Sequence, residues 1–144
     1  MKINKINALN LWNEIYGRET LVKDFHGNYM SRDAYGEENA YHLVWGQKVL
    51  CGWNIHHILP KAAGGTNEKS NLICTNIITN REAGDKTTFW IDDCNYQVQW
   101  IDGVRKIVML NPVNNRLQSL SFISTINQMK GVAYGKAIVG FRQR

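Results

Sequence analysis

The chain has 144 residues, of which 44% are hydrophobic and 20% are charged, and this balance is ordinary for one globular domain. No run comes near the roughly 18 apolar residues that a membrane-spanning helix requires, and the N-terminal residues lack the apolar core of a signal peptide, so we expect a cytoplasmic protein. The three cysteines are widely spaced and odd in number, which argues against a disulfide framework and against a paired CxxC zinc knuckle. A formal net charge of +5 favours phosphate-rich partners.

Residues 1–50 are predicted to form a helix followed by short strands. Apolar residues recur at three- and four-residue spacing up to Gly17, a residue type that is typical of a helix C-terminus. These apolar residues are Ile6, Leu9, Leu11, Trp12, Ile15 and Tyr16, and we expect their stripe to be buried. Residues 21–36 then read as two extended pieces around the turn HGN, and residues 40–58 as further strands interrupted by Gly46 and Gly52.

The next predicted strand, WNIHHI, contains two adjacent histidines, His56 and His57. Because neighbouring residues of a strand point to opposite faces, these two side chains are expected to have different roles. The stretch KAAGGTNEKSN after Pro60 is polar and contains glycine, which is typical of a surface loop, and it is long enough to suggest a functional one.

A helix of two to three turns is predicted after this loop, ending at Gly84. Its start has two alternatives. Thr75 or Asn76 is a suitable N-cap, whereas Thr79 with Glu82 fits a capping box that begins the helix later.

The predicted C-terminal part, residues 91–144, comprises a hairpin and a tail. The segments TTFWIDD and YQVQWIDGVRKIVML alternate in polarity, and the second contains the turn DG, a strong hairpin signal. Beyond Pro112, the stretch RLQSLSFISTINQMKG fits either a helix or a strand, and KAIVGFRQR fits a basic terminal strand.

His56 and His57 in a strand, Asn71 in the loop fourteen residues after His57, and Asn80 in the helix nine residues further on form an ordered series. This series resembles the HNH endonuclease family, in the HNN variant that CRISPR effector nucleases also carry, with Arg81 directly after the last position. The resemblance covers about residues 51–90. It implies an α+β fold: a ββα-metal core of residues 51–90 embedded in one small mixed domain, with a helix and strands in residues 1–50 and antiparallel strands in residues 91–144.

The resemblance also implies a role for each residue of the series. His57 is the expected general base, a role suited to histidine because its unperturbed pKa lies near 6.5. His56 and Asn80 are the expected metal ligands, and Asn71 is expected to brace the loop and to orient His57. A site of one imidazole and one amide oxygen, open to water and phosphate, favours Mg²⁺, with Mn²⁺ as a substitute, over a closed structural zinc site.

Other residues near the series are weaker candidates for the functional site. Lys61 and Arg81 are candidate phosphate contacts, and Asp85 and Lys86 are candidate accessory residues after the helix. Asn76 lies four residues before Asn80 and is a rival metal ligand on the same helix face. The tryptophans lie within apolar patterns, which favours core packing over base stacking. They are Trp12, Trp45, Trp53, Trp90 and Trp100.

The leading hypothesis from sequence is therefore a metal-dependent HNH endonuclease that nicks DNA, most simply double-stranded DNA. We expect a monomer or homodimer in a bacterial or phage-infected cell, with a protein partner as one possible source of targeting. The alternative is a catalytically silent module of the same fold, phage-encoded and acting on a host system, that binds nucleic acid or inhibits a protein.

Overall fold

The computed structural model describes residues 1–111, and the predicted tail elements in residues 112–144 lie outside the described residues. The described part has a mixed α+β architecture, in which two α-helices accompany four small antiparallel sheets. In chain order the elements are α1 (Lys5–Tyr16), β1 (Leu21–Lys23), β2 (Tyr29–Ser31), β3 (Tyr41–Val44), β4 (Gln47–Leu50), β5 (Trp53–His57), β6 (Leu72–Asn76), α2 (Ile77–Ala83), β7 (Thr88–Ile91), β8 (Cys94–Ile101) and β9 (Val104–Met109). Neither helix among these residues is long and apolar enough to cross a membrane.

Helix α1 ends at Gly17, as its sequence predicts, and it begins after an N-cap at Asn4. The Asn4 side chain accepts a hydrogen bond from the Asn7 backbone N–H, and Gly17 ends the helix at a φ of 63°. The buried face centres on Trp12, but Ile6 is 72% exposed, so the prediction of a buried stripe is wrong at that residue. Six residues at 100° each place Ile6 about 120° around the helix from Trp12, on the solvent side.

The hairpin of β5 and β6 lies between two hydrophobic clusters, one on each of its faces. One face contributes Trp53, Ile55, Leu72 and Cys74 to the cluster that contains α1. The opposite face contributes Ile73 to a second cluster, which includes Ala83 of α2 and the core residues of the β7–β9 sheet. Packing on both sides fixes the orientation of the histidine-bearing strand.

Strand β6 was not predicted as an element from the residue pattern. All five of its residues, Leu72–Asn76, are buried, so the segment shows none of the alternation that marks a half-exposed strand. Helix α2 then begins directly at Asn76, whose side chain accepts a hydrogen bond from the Ile78 N–H. The simple N-cap at Asn76 is therefore correct, and the later capping box at Thr79 is wrong.

The C-terminal sheet has the order β7, β8, β9, and its β8–β9 hairpin turns at Asp102 and Gly103 as predicted. Both residues have positive φ, 51° and 82°, which suits the Asp-Gly pair in a two-residue turn.

The prediction that the tryptophans are core residues holds only for Trp12 and Trp53, which are fully buried. It is wrong for the other three, because they lie on hairpins or sheet faces open to solvent. These three are Trp45, Trp90 and Trp100, with exposed fractions of 96%, 58% and 65%.

Candidate active site

His56 and His57 turn to opposite sides of β5, and each meets an asparagine from a different element. His56 Nδ1 lies 2.6 Å from Asn80 Oδ1 on α2. His57 Nε2 lies 2.7 Å from Asn67 Oδ1 in the loop between β5 and β6. The division of the pair between two environments, expected from strand geometry, is present in the fold.

His56 is a buried, neutral imidazole. Burial, opposed in part by the hydrogen bond to Asn80, lowers the pKa of His56 to about 4. The ring lies beside Phe25, with ring centroids 6.5 Å apart, on the face that packs against the second cluster. A neutral ring at neutral pH is the form of histidine that can bind a metal ion.

Asn54 fixes the orientation of the Asn80 side chain. Asn80 Nδ2 donates to Asn54 Oδ1 at 2.6 Å and to the Ile55 carbonyl oxygen at 3.4 Å. Two acceptors on the amino side leave the amide oxygen facing His56. Asn54 stands two residues before His56 and therefore on the same face of β5. Sequence analysis did not identify this residue, although its position at i−2 to His56 was the available signal.

The rival ligand Asn76 is fully engaged elsewhere. Its side-chain oxygen caps α2, and its amino group donates to the Tyr29 and Leu50 carbonyl oxygens at 2.7 and 3.1 Å. Its backbone N–H donates to the buried carboxylate of Asp24. Asn76 thus holds the start of α2, and the geometry places Asn80, not Asn76, opposite His56.

Asn67 orients the ring of His57 and was also missed from sequence. An amide oxygen only accepts, so His57 Nε2 is the donor in this contact. Asn67 lies in a loop, ten residues after His57. No helical or strand periodicity relates the two positions, so the sequence pattern did not indicate this contact.

Asn71 braces the loop rather than the histidine ring. Its side chain accepts from the Leu59 N–H at 2.8 Å and donates to the carbonyl oxygens of Leu59 and Thr66 at 3.0 and 2.9 Å. Gly65 lies against the same part of the loop. Only glycine fits there, because a Cβ would stand 1.7 Å from the Leu59 carbonyl oxygen. The expected brace is present, whereas the direct partner of the His57 ring is Asn67.

The expected accessory residues are all exposed, and among them Arg81 has a partner near the site. Arg81 pairs with Glu38 at 2.7 Å. Both line an open cleft of about 460 Å³ together with Gly36, Asn54, Ile77 and Asn80. Lys61 lies in a helical turn of the loop, and Asp85 and Lys86 follow the end of α2. None of these three hydrogen-bonds to His56 or Asn80 in the described part of the chain.

The donor set at His56 and Asn80 fits a hard divalent cation. Both atoms offer a lone pair once His56 is in the tautomer protonated at Nε2. Their separation of 2.6 Å is a hydrogen-bond distance, shorter than the roughly 3 Å between neighbouring ligands of a six-coordinate ion with bonds near 2.1 Å, so both atoms would move slightly apart to hold an ion. Among residues 1–111 no group of three or more His, Cys, Asp or Glu side chains converges on such a point, so water and substrate oxygens would supply the other positions.

Comparison with family models, with curated proteins and with solved structures finds no match for this chain.

Proposed function

We propose that the protein is a metal-dependent endonuclease that hydrolyses DNA phosphodiester bonds, with a ββα-metal site of the HNH type at residues 53–83. One observation carries the proposal: two adjacent histidines of β5 have separate partners, with buried His56 at Asn80 on α2 and His57 held through Nε2 by Asn67 of the loop. The strand, loop, strand, helix order that supplies these residues supports the same family.

In this proposal His57 is the general base. With Nε2–H donating to Asn67, Nδ1 accepts a proton from the attacking water. The water oxygen forms a bond to phosphorus, and the bond from phosphorus to one sugar oxygen breaks. The leaving oxygen takes up a proton from solvent, so the proton balance closes without a second side chain.

His56 and Asn80 are the proposed ligands for Mg²⁺ or Mn²⁺, and a bound ion supplies positive charge for the developing charge on the phosphate oxygens. Asn54 keeps the Asn80 oxygen turned to the ligand position. Because His56 and His57 turn to opposite faces of β5, the proposal places the scissile phosphate across the edge of this strand, between the metal position and His57. Arg81 stands at the cleft beside Asn80, where release from Glu38 would let it pair with a phosphate oxygen.

The alternative is a silent module of the same fold, and the direct bond between His56 and Asn80 favours it, because the two candidate ligands satisfy each other. Metal binding separates the two functions. Binding of Mn²⁺ with loss of this hydrogen bond would support the nuclease. DNA binding without Mn²⁺ binding would support the silent module.

The test is nicking of supercoiled plasmid by the purified full chain with Mg²⁺, Mn²⁺ or EDTA. The proposal predicts open-circle product with either metal and none with EDTA. A monomer with one site should nick before it linearises. Absence of cleavage with every divalent metal tried would contradict the proposal, and cleavage that persists in EDTA would contradict its metal dependence.

A further inference from the structure

The hairpin of β3 and β4 exposes an apolar face beside the candidate active site. Its outward side chains alternate with those that face the body, as a two-stranded ribbon requires. The outward apolar residues are Tyr41, Leu43 and Leu50, and Trp45 lies at the tip. On the inward side, His42 Nε2 lies 3.2 Å from Ser31 Oγ, and Val44 and Val49 are partly buried. The outward face is thus held away from the core.

Tryptophan at the tip of the hairpin, Trp45, does not favour hairpin stability. Trp45 and Gly46 form the two-residue turn with φ values of 53° and 78°, both in the left-handed region. Asn or Asp is favoured at the first of these positions, as in the Asp102–Gly103 turn, and a bulky side chain is strained there. The indole is 96% exposed, so burial does not offset the strain. Folding therefore gives no reason for tryptophan at this position.

The base of the hairpin follows directly, along the chain, from a segment that lines the cleft next to Asn80. Cys51 N–H, just after β4, donates to the Ala40 carbonyl oxygen, just before β3, at 2.9 Å. The segment that leads to Ala40 contributes Gly36 and Glu38 to the cleft that Asn80 and Arg81 also line. Only two residues therefore separate Glu38, in the wall of the cleft, from the first residue of β3.

Charge and size favour nucleic acid as the occupant. Residues 41–50 contain one lysine, Lys48, stacked 4.3 Å from the Tyr41 ring centroid, and no acidic residue. Four side chains on a ribbon offer well under the roughly 800 Å² that each partner buries in a standard protein interface. A two-stranded ribbon fits a DNA groove, and one apolar wedge can unstack a base step.

We infer that the β3–β4 hairpin is a DNA-binding arm whose tip residue, Trp45, stacks on or inserts between bases of a duplex lying across the candidate active site. The inference rests on the proposed function for the position of the duplex.

The test variant is Trp45→Asn, because asparagine suits the left-handed turn position and the hairpin should fold at least as well. Binding to a fluorescently labelled 20-base-pair duplex is measured by anisotropy, with full-length protein in the His57→Ala background so that DNA stays intact. We expect Kd to rise at least about fivefold, the lower end of the range for loss of one stacking aromatic. Leu43→Ser is the second variant and should weaken binding in the same direction. Trp90→Ala, which removes an exposed tryptophan from another sheet, should change Kd less than twofold.

Several outcomes would contradict the inference that the hairpin is a DNA-binding arm. These are no duplex binding by the parent protein, an unchanged Kd for both arm variants, and an equal loss in Trp90→Ala. Light scattering that shows a dimer converted to a monomer by Trp45→Asn would assign the face to a second copy of the chain and would also overturn it. Because binding is measured without cleavage, a parent that binds through Trp45 but never cuts DNA would refute the proposed function and leave the arm standing.

Discussion

Asn54 Oδ1 accepts a 2.6 Å hydrogen bond from Asn80 Nδ2, and this bond determines which end of the Asn80 amide faces His56. An amide has a donor end and an acceptor end of nearly equal size, so packing alone does not choose between them. The polar neighbour makes the choice, and it presents an oxygen to His56.

The first prediction follows from this bond. Asn54→Leu removes the acceptor at similar volume, which frees the Asn80 amide to turn its amino group towards His56. We expect Mn²⁺ affinity, measured by electron paramagnetic resonance, and cleavage rate to fall by about 10- to 100-fold. Asn54→Asp keeps an acceptor at the same place and should restore most of both. Equal metal binding by the leucine variant and the parent would show that Asn54 does not position the ligand.

Asn67 gives the second prediction, because its side chain holds His57 Nε2 at 2.7 Å. Asn67→Ala should lower kcat for cleavage by about 10-fold or more with little change in KM, since the proposed general base, His57, loses its orientation and not its substrate contacts. Asn39→Ala, an exposed asparagine outside the loop, is the matched control. A large rise in KM at constant kcat would instead assign Asn67 to substrate binding.

The third prediction concerns the buried carboxylate of Asp24, which joins the β1–β2 turn to the start of α2. Its two oxygens accept from the backbone N–H groups of His26, Gly27, Asn28 and Asn76 at 2.9 to 3.0 Å. In Asp24→Asn one oxygen becomes an amino group that faces an N–H donor. We expect the free energy of unfolding, from urea denaturation, to fall by about 2 to 3 kcal/mol. Asp33 is exposed, so Asp33→Asn is the control, and its free energy of unfolding should stay near that of the parent. An equal loss in Asp33→Asn would show that the hydrogen bonds of Asp24 are not the cause.

His26 gives a pH prediction, because its ring nitrogens contact Tyr96 Oη at 2.7 Å and Asp92 Oδ2 at 2.8 Å. Burial acts to lower the pKa of His26, but hydrogen bonding to Cys94 and Asp92 and the charge of Asp24 outweigh it and raise the pKa to about 8. A raised pKa stabilises the fold below pH 6.5, and that stability is lost as pH rises through 8. The loss amounts to about 2 kcal/mol in the free energy of unfolding.

The measurement is urea denaturation of the parent and of His26→Gln between pH 6.5 and pH 8.5. Cys94, Tyr96 and Asp92 also face the ring, so the difference between the two proteins, and not the stability of the parent alone, is the quantity of interest. The parent should lose its advantage over the variant across this interval. A constant difference would show that the pKa of His26 is not raised.

The sequence pointed to the candidate site residues more clearly than to the residues that orient their side chains. His56 and His57 are two of only four histidines and stand in a strand, and Asn80 falls at a helix position, so residue type and local structure pointed to them. Asn54 and Asn67 are two of sixteen asparagines, and only the closure of a fourteen-residue loop and the packing of α2 bring them to their partners.

The fold shows the same contrast between local and tertiary signals. The end of α1 at Gly17 and the Asp102–Gly103 turn depend on local chemistry and were predicted correctly. Strand β6 is buried on both faces and gave no alternation, and the exposure of Trp45 depends on a hairpin leaving the body of the protein. Such features arise from tertiary packing, which residue patterns do not contain.

The most direct test of the central claim is the single-turnover rate of plasmid nicking in Mn²⁺ for the parent, His57→Ala and Asn10→Ala, with circular dichroism to check folding. Asn10 is an exposed residue of α1, outside both the candidate site and the arm, so its substitution is the control. The proposed mechanism predicts at least about a 100-fold loss for His57→Ala and a rate within severalfold of the parent for Asn10→Ala. A folded His57→Ala protein that nicks DNA at the parental rate would contradict it.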